Sequence, residues 1–224
     1  STDYLGLKLP HPLMPGASPL VDDLDTVRRL EDVGASAIVM HSLFEEQVVG
    51  EQLSASLHMD SHAESSAEAR TYFPESDVFA LGPDEYLEQI RRIKAAVKVP
   101  VIASLNGATE GGWLQYARLM QEAGADALEL NVYYLATDPS ERGEVLEQRA
   151  EDMLRGVKTS VRIPVAVKLS PFYTSLPNTA ARYMEAGASA LVLFKRFFEP
   201  DLDIERIEVT PHLELSSAKE LLLR

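Results

Sequence analysis

The chain is 224 residues long and 46 % hydrophobic, with 35 acidic and 21 basic side chains and a net charge of −14. A domain of this size buries about 70 % of its unfolded surface without staples, and the absence of cysteine excludes a disulfide framework, a thiolate metal site and a cysteine nucleophile. The acidic excess argues against a general nucleic-acid or anionic-membrane surface, no run reaches the roughly 18 apolar residues of a transmembrane helix, and no signal-like segment opens the chain, so a soluble cytoplasmic protein is expected.

In chain order, a short hairpin is expected around Tyr4 to Lys8. Strands are expected near 13–17, 37–41, 100–105, 127–131, 164–169 and 190–194. Helices are expected near 23–33, 84–96, 113–123, 144–160, 177–186 and 216–223. Asp22, Asp23, Pro83-Asp84 and Ser216 are helix-start signals.

Three segments look alike: Glu31 to Met40, Gln121 to Leu130 and Met184 to Leu193. Each closes an amphipathic stretch, turns at Gly-Ala and enters a short apolar run. The glycines, Gly34, Gly124 and Gly187, suit the left-handed position just after a helix. The apolar runs suit strands buried on both faces of a parallel sheet. Two further strands open on Pro100 and Pro164, which lie 64 residues apart, or two units of about 32. That is the spacing of consecutive βα units. The expected fold is therefore α/β, a (β/α)₈ barrel, with a doubly wound sheet as the rival. No Gly-x-Gly-x-x-Gly turn follows the first strand, and a quasi-repeat suits rotational symmetry. Only six βα units are counted, in one domain spanning 1–224, so the barrel is expected to be C-terminally incomplete.

Insertions at 42–82 and 195–215 follow strand ends on the side where barrels hold their sites. The residues that would converge there are Ala17, Ser18, His41, Ser42, Asn106, Asn131, Lys168, Lys195 and Arg196. Lys168 lies in Val165-Ala-Val-Lys-Leu169, where an ammonium is expensive unless it meets an anion or acceptor. It aims at a ligand, or pairs with a buried carboxylate such as Glu129. Asn131 and Asn106 could bond a polar heterocycle, or cap their loops. Lys195 and Arg196 bind an anion or begin a solvated insertion. His41 serves as an acid–base group, or simply bonds at a strand end. Tyr133 and Tyr134 line a pocket or pack the loop. His58 and His62 have helical ligand spacing without the His-Glu-x-x-His pattern, so no metal is expected. Glu45-Glu46 and the Glu75, Asp77 pair read as solvated acids.

Together, Tyr4 to Ser18, Glu129-Leu-Asn131 and Pro164 to Pro171 resemble the dihydroorotate dehydrogenase family. Ser42-Leu-Phe-Glu-Glu-Gln47, Leu193 to Phe197 and Pro200-Asp201 are similar to its bacterial dihydroorotate dehydrogenase-like branch. The resemblance covers essentially the whole chain. It implies an FMN-dependent barrel oxidoreductase that oxidises dihydroorotate to orotate in pyrimidine biosynthesis. Ala17, Ser18, Ser42, Asn106, Asn131 and Lys168 would then contact the flavin, and His41, Asn131 and Lys195 the substrate. Lys168 would stabilise charge on the reduced ring. Tyr134 stands at the position of the family's base, where its free pKa of about 10 makes it a poor base at neutral pH. His41 replaces the family's lysine after the second strand, and Lys195 replaces an asparagine after the sixth.

The resemblance further implies a small-molecule substrate and an electron acceptor or partner subunit, because the chain has no cysteine for an iron–sulfur cluster. Neither nucleic acid nor membrane is expected as a partner, and a homodimer is among the assemblies left open. Two rival readings are a barrel that binds a ligand without turnover and another phosphate-binding barrel enzyme. The chain ends at Leu221-Leu-Leu-Leu-Arg224, within what reads as the sixth helix. A truncated product is therefore expected, one that binds FMN weakly on its own.

Overall fold

A computed structural model describes residues 1–44, 83–106, 110–132, 138–195, 201–203 and 208–210. Strands β1 (Thr2–Tyr4) and β2 (Leu7–Leu9) form the expected hairpin. Its two-residue turn puts Leu5 at φ 57° and Gly6 at φ 72°, as a type I′ connection requires. Leucine is strained in that region, but here its side chain is 5 % exposed, so burial offsets the strain.

Five parallel strands follow: β3 (Ile38–Phe44), β4 (Val101–Asn106), β5 (Ala127–Asn131), β6 (Val165–Leu169) and β7 (Ala190–Leu193). Helix α1 (Leu24–Asp32) precedes β3. Helices α2 (Pro83–Ala96), α3 (Glu110–Glu122), α4 (Gly143–Ser160) and α5 (Leu176–Glu185) fall between successive strands. A short antiparallel pair, β8 (Asp201–Asp203) and β9 (Glu208–Thr210), occupies part of the second insertion, where no strand was expected. The expected helix at 216–223 and the first insertion from Glu45 to Gly82 lie outside the described residues. Among the described residues no helix is long and apolar enough to cross a membrane.

The strand order across the sheet is the chain order, β3-β4-β5-β6-β7. Right-handed crossovers that never reverse put every helix on one face. That excludes the doubly wound alternative, whose order must reverse at a switch point. The two faces differ in composition as this arrangement demands. Ile38, Met40, Val101, Leu105, Leu128, Leu130, Val165 and Val167 meet the helices through Val27, Ile90, Ile93, Met120, Leu154 and Val157. The alternate residues Val39, Ile102, Ala127 and Ala166 form a smaller cluster closed by Leu5 and Leu9 of the hairpin. The hairpin is thus a plug on the inner face of a partial barrel wall. Burying each large aliphatic side chain contributes about 1.5–3 kcal/mol, so Leu128→Ala should cost about 2–5 kcal/mol.

The repeated glycine behaves as expected. Gly34, Gly124 and Gly187 have φ of 97°, 102° and 108°. The residue after each donates back across the helix end, from Ala35 to Leu30, Ala125 to Met120 and Ala188 to Tyr183. This satisfies terminal carbonyls that would otherwise be orphaned. Asp23 caps α1 by accepting from Thr26 N at 2.8 Å.

One expected strand is absent. Residues 13–17 lack strand structure, yet they occupy a strand's place. Ser36 N donates to Leu13 O at 3.0 Å, as Asp126 N does to Val101 O at 2.8 Å and Ser189 N to Val165 O at 2.7 Å. Leu13 therefore stands where β4 and β6 begin. Pro12 and Pro15 remove the N–H groups a ladder would use.

Candidate functional site

Parity along each strand decides which side chains face the hairpin side. In β5 the order Ala127, Glu129, Asn131 faces inward, and in β6 Ala166 and Lys168 do. Register places Ser42 opposite Ser104, Ser104 opposite Glu129, and Asn131 opposite Lys168. Polar groups thus replace apolar ones as the wall rises toward its C-terminal edge.

Their contacts are direct. Ser42 Oγ and Ser104 Oγ are 2.7 Å apart, and Asn131 Nδ2 donates to Ser42 Oγ at 3.4 Å. Lys168 Nζ donates to Glu129 Oε1 at 3.0 Å, and Glu129 is 4 % exposed. Tyr4 of the hairpin has its pKa pushed up to about 12, first by burial and then by the Glu129 charge. Lys195 follows β7 and extends the β6 pairing through its N–H to Leu169 O at 2.7 Å. Its pKa falls to about 8, chiefly through burial and secondly through the Lys168 charge.

Among the described residues four buried side-chain atoms lack a hydrogen-bond partner, and Asp22 Oδ1 and His41 Nδ1 lie 2.6 Å from each other, which leaves two unanswered. Asn131 Oδ1 and Ser18 Oγ are buried without a hydrogen-bond partner. Native proteins satisfy the large majority of such atoms, so an orphaned pair at one end of a wall is a ligand-site signal. Ala17, beside Ser18, packs against the inner-face cluster, and Asn106 ends β4 half-buried.

His41 is placed differently. Between Val39 and Ser42 the pairing slips, so Met40 and His41 of β3 oppose Ala103 of β4. Such a bulge re-aims a side chain. The His41 Nδ1 lies 2.6 Å from Asp22 Oδ1, and its ring meets Tyr86 edge-on at 5.2 Å. Burial draws its pKa below the usual histidine value, with Asp22 opposing. The bland expectation, a histidine bonded at a strand end, describes this geometry. Tyr86, fully buried, ties α2 to the strand ends by donating to His41 O at 2.8 Å and accepting from Ser104 N at 3.1 Å. Tyr133, Tyr134, Arg196, His58, His62 and the paired acids lie outside the described residues.

Sequence reasoning named Glu129 only as a partner for Lys168, and it missed Ser104 and Tyr86. Ser104 had a signal: it is polar in the apolar run Val101-Ile-Ala-Ser-Leu105. Tyr86 had none, because an aromatic on a helix face reads as core.

No family model matches the chain. Curated relatives do. The catalytic subunit of dihydroorotate dehydrogenase B (NAD(+)) from Thermoplasma acidophilum is 29 % identical over 202 residues, 86 % of this chain and 61 % of that protein. The same subunit from Methanocaldococcus jannaschii is 32 % identical over 50 % of this chain and 37 % of that protein. The subunit PreA of NAD-dependent dihydropyrimidine dehydrogenase from Escherichia coli is 25 % identical over 85 % of this chain and 46 % of its own length. The chain therefore spans less than two thirds of the length of these relatives. Among solved structures, a putative lyase/mutase from Burkholderia cenocepacia has a TM-score of 0.52 at 20 % identity, over 84 % of this chain and 61 % of that one. Phosphonopyruvate hydrolase bound to oxalate and Mg²⁺ gives 0.51 at 19 %, over 84 % and 60 %. At such identities these structures speak for the fold alone.

Proposed function

We propose that the chain, which is similar to dihydroorotate dehydrogenase catalytic subunits over much of its length, is a flavin-dependent oxidoreductase of that kind. Its substrate is dihydroorotate or a related small anionic ring compound. The observation that carries this reading is the orphaned pair, Asn131 Oδ1 and Ser18 Oγ, on the same edge as Lys168. Ring N–H and C=O groups are the complement such atoms require. The residues present therefore fit FMN, held by Ala17, Ser18, Ser42, Asn106, Asn131 and Lys168. When bound, the flavin supplies a two-electron acceptor.

The chain's own residues do the rest. Asn131 orients the ring, with its Nδ2 anchored on Ser42 Oγ. Lys168 offsets negative charge that builds up on the acceptor side, and a preorganised charge of this kind is usually the largest catalytic contribution. Lys195 adds attraction for a ligand carboxylate. Tyr134 is the candidate at the base position, and His41, the other substrate-side candidate, is held against Asp22. Electrons then pass to a soluble acceptor or a partner subunit, in the cytoplasm.

The full-length gene product should show flavin absorbance bands when purified. Lys168→Ala should slow flavin reduction by dihydroorotate about 100-fold. A colourless protein that ignores added FMN overturns the reading. The tyrosine at the base position favours one alternative, a barrel that binds without turnover. Anaerobic mixing with dihydroorotate separates the two: bleaching supports the enzyme, and binding without bleaching supports the alternative.

A further inference from the structure

Glu129 is a charged side chain that the proposed reaction does not use. It is 4 % exposed and lies on the inner face of β5, level with Ser104 and Ala166. Its ammonium partner, Lys168 Nζ, is 3.0 Å away. Lys168 itself springs from the next inward level, opposite Asn131 and closer to the strand ends. Seen from the C-terminal edge, the carboxylate therefore sits behind the ammonium. Its other surroundings are poor at screening: Ala127, Ala166 and the half-buried ring of Tyr4 pack in one apolar cluster. Opposite charges at this distance cancel much of each other's field several ångströms away, and a weakly screening wall lets the offset reach a ligand.

We propose that Glu129 is a specificity-determining residue that sets the net charge of the strand-end site. The inference rests on the reading that Lys168 faces a ligand. With Glu129 ionised, a ring seated beside the flavin feels Lys168 only as one end of an ion pair, and among the described residues Lys168, Lys195 and Glu129 sum to a single positive charge. The site then accepts one negative charge and discriminates against more. Removing the Glu129 charge without changing its shape exposes the whole of the Lys168 charge and strengthens anion binding. A role confined to holding the wall together would make every substitution weaken binding instead.

The test is a calorimetric titration of the full-length gene product, in excess FMN, with orotate as the monoanion and uracil as the neutral ring. Glu129→Gln should tighten orotate binding about tenfold and leave uracil within about twofold. Lys168→Met should weaken orotate most, because it strands the carboxylate. The double variant Glu129→Gln with Lys168→Met needs no buried charge and should fall between Lys168→Met and the wild type. If Glu129→Gln does not fold, the double variant against Lys168→Met carries the same test. Orotate bound equally or more weakly by Glu129→Gln, or equally by the double variant and Lys168→Met, overturns the inference alone. A wild-type protein that binds neither ring overturns the reading of the site and the inference with it.

Discussion

The two ends of the parallel sheet are built from similar side chains and differ in what those side chains touch. At the N-terminal end, polar side chains are committed to backbone. Glu31 Oε1 accepts from Lys98 N at 2.7 Å and Val99 N at 3.2 Å. Gln121 Oε1, at the equivalent place in its repeat, accepts from Arg162 N at 2.6 Å and Ile163 N at 3.2 Å. Asp126 accepts from Val101 N at 2.7 Å and from Lys94 Nζ at 2.7 Å. At the C-terminal end, the inward contacts of Ser42, Ser104, Glu129, Asn131 and Lys168 run between side chains, and Asn131 Oδ1 and Ser18 Oγ have none. Satisfied polar groups stabilise, and unsatisfied ones cost free energy until a ligand answers them. One end is scaffold and the other carries the proposed site, which is how barrel proteins divide these duties.

The largest effect expected from breaking the comparison is at Asp126. Asp126→Ala strands the Val101 N–H, a group on a fully buried residue. Its partly exposed ion pair with Lys94 adds little. Unfolding in urea should show a loss of about 2–3 kcal/mol, with FMN affinity unchanged. A variant that loses flavin but keeps its stability would invert the assignment of the two ends.

A smaller effect tests whether the clamp is a property of the repeat. Gln121→Ala should cost about 1–2 kcal/mol, since two loop N–H groups lose their acceptor. The third copy of the repeat carries Met184 at this place, and it is 47 % exposed. Met184→Ala should therefore change stability by less than about 0.5 kcal/mol. Equal losses at both positions would show that the helix end matters and the clamp does not.

The smallest effect concerns pH. Lys195 has a folded pKa of about 8, below its usual 10.5. Between those values the unfolded chain binds the proton and the folded chain does not, so folding stability contributed by this group rises with pH from about 8 upward. Anion binding moves the other way, because the same deprotonation removes a positive charge. Orotate affinity should fall as pH passes about 8, and Lys195→Met should flatten both profiles. Parallel changes of stability and affinity with pH would contradict this account of Lys195.

Much of this division was legible in the sequence. Gly34, Gly124 and Gly187 mark helix ends because the backbone there needs a left-handed residue, a local demand that a sequence records. Five of the six expected strands formed for a similar reason: their apolar runs admit no other burial. The sixth, at 13–17, shows the limit. Its hydrophobicity matched a strand, but Pro12 and Pro15 leave it a single rung on Ser36. At the site, Lys168 and Asn131 stood out as polar residues ending apolar strands. The Lys168–Glu129 contact was foreseen as the alternative to ligand binding, and the geometry shows that contact. The surroundings of His41 were not legible because a bulge is not written in composition: one extra residue in β3 turns it toward Asp22. The clamps of Glu31 and Gln121 were invisible for a different reason, since each joins residues more than 40 positions apart through an exposed polar side chain.

The central claim is that the C-terminal strand ends form a flavin site while the opposite end is scaffold. The most direct test is an FMN titration, followed by quenching of flavin fluorescence, of the full-length wild type, Asn131→Ala and Asp126→Ala. The account predicts saturable binding that Asn131→Ala weakens at least about tenfold, or about 1.4 kcal/mol, and that Asp126→Ala leaves intact. Equal FMN affinity in the wild type and Asn131→Ala, or a loss confined to Asp126→Ala, would contradict it.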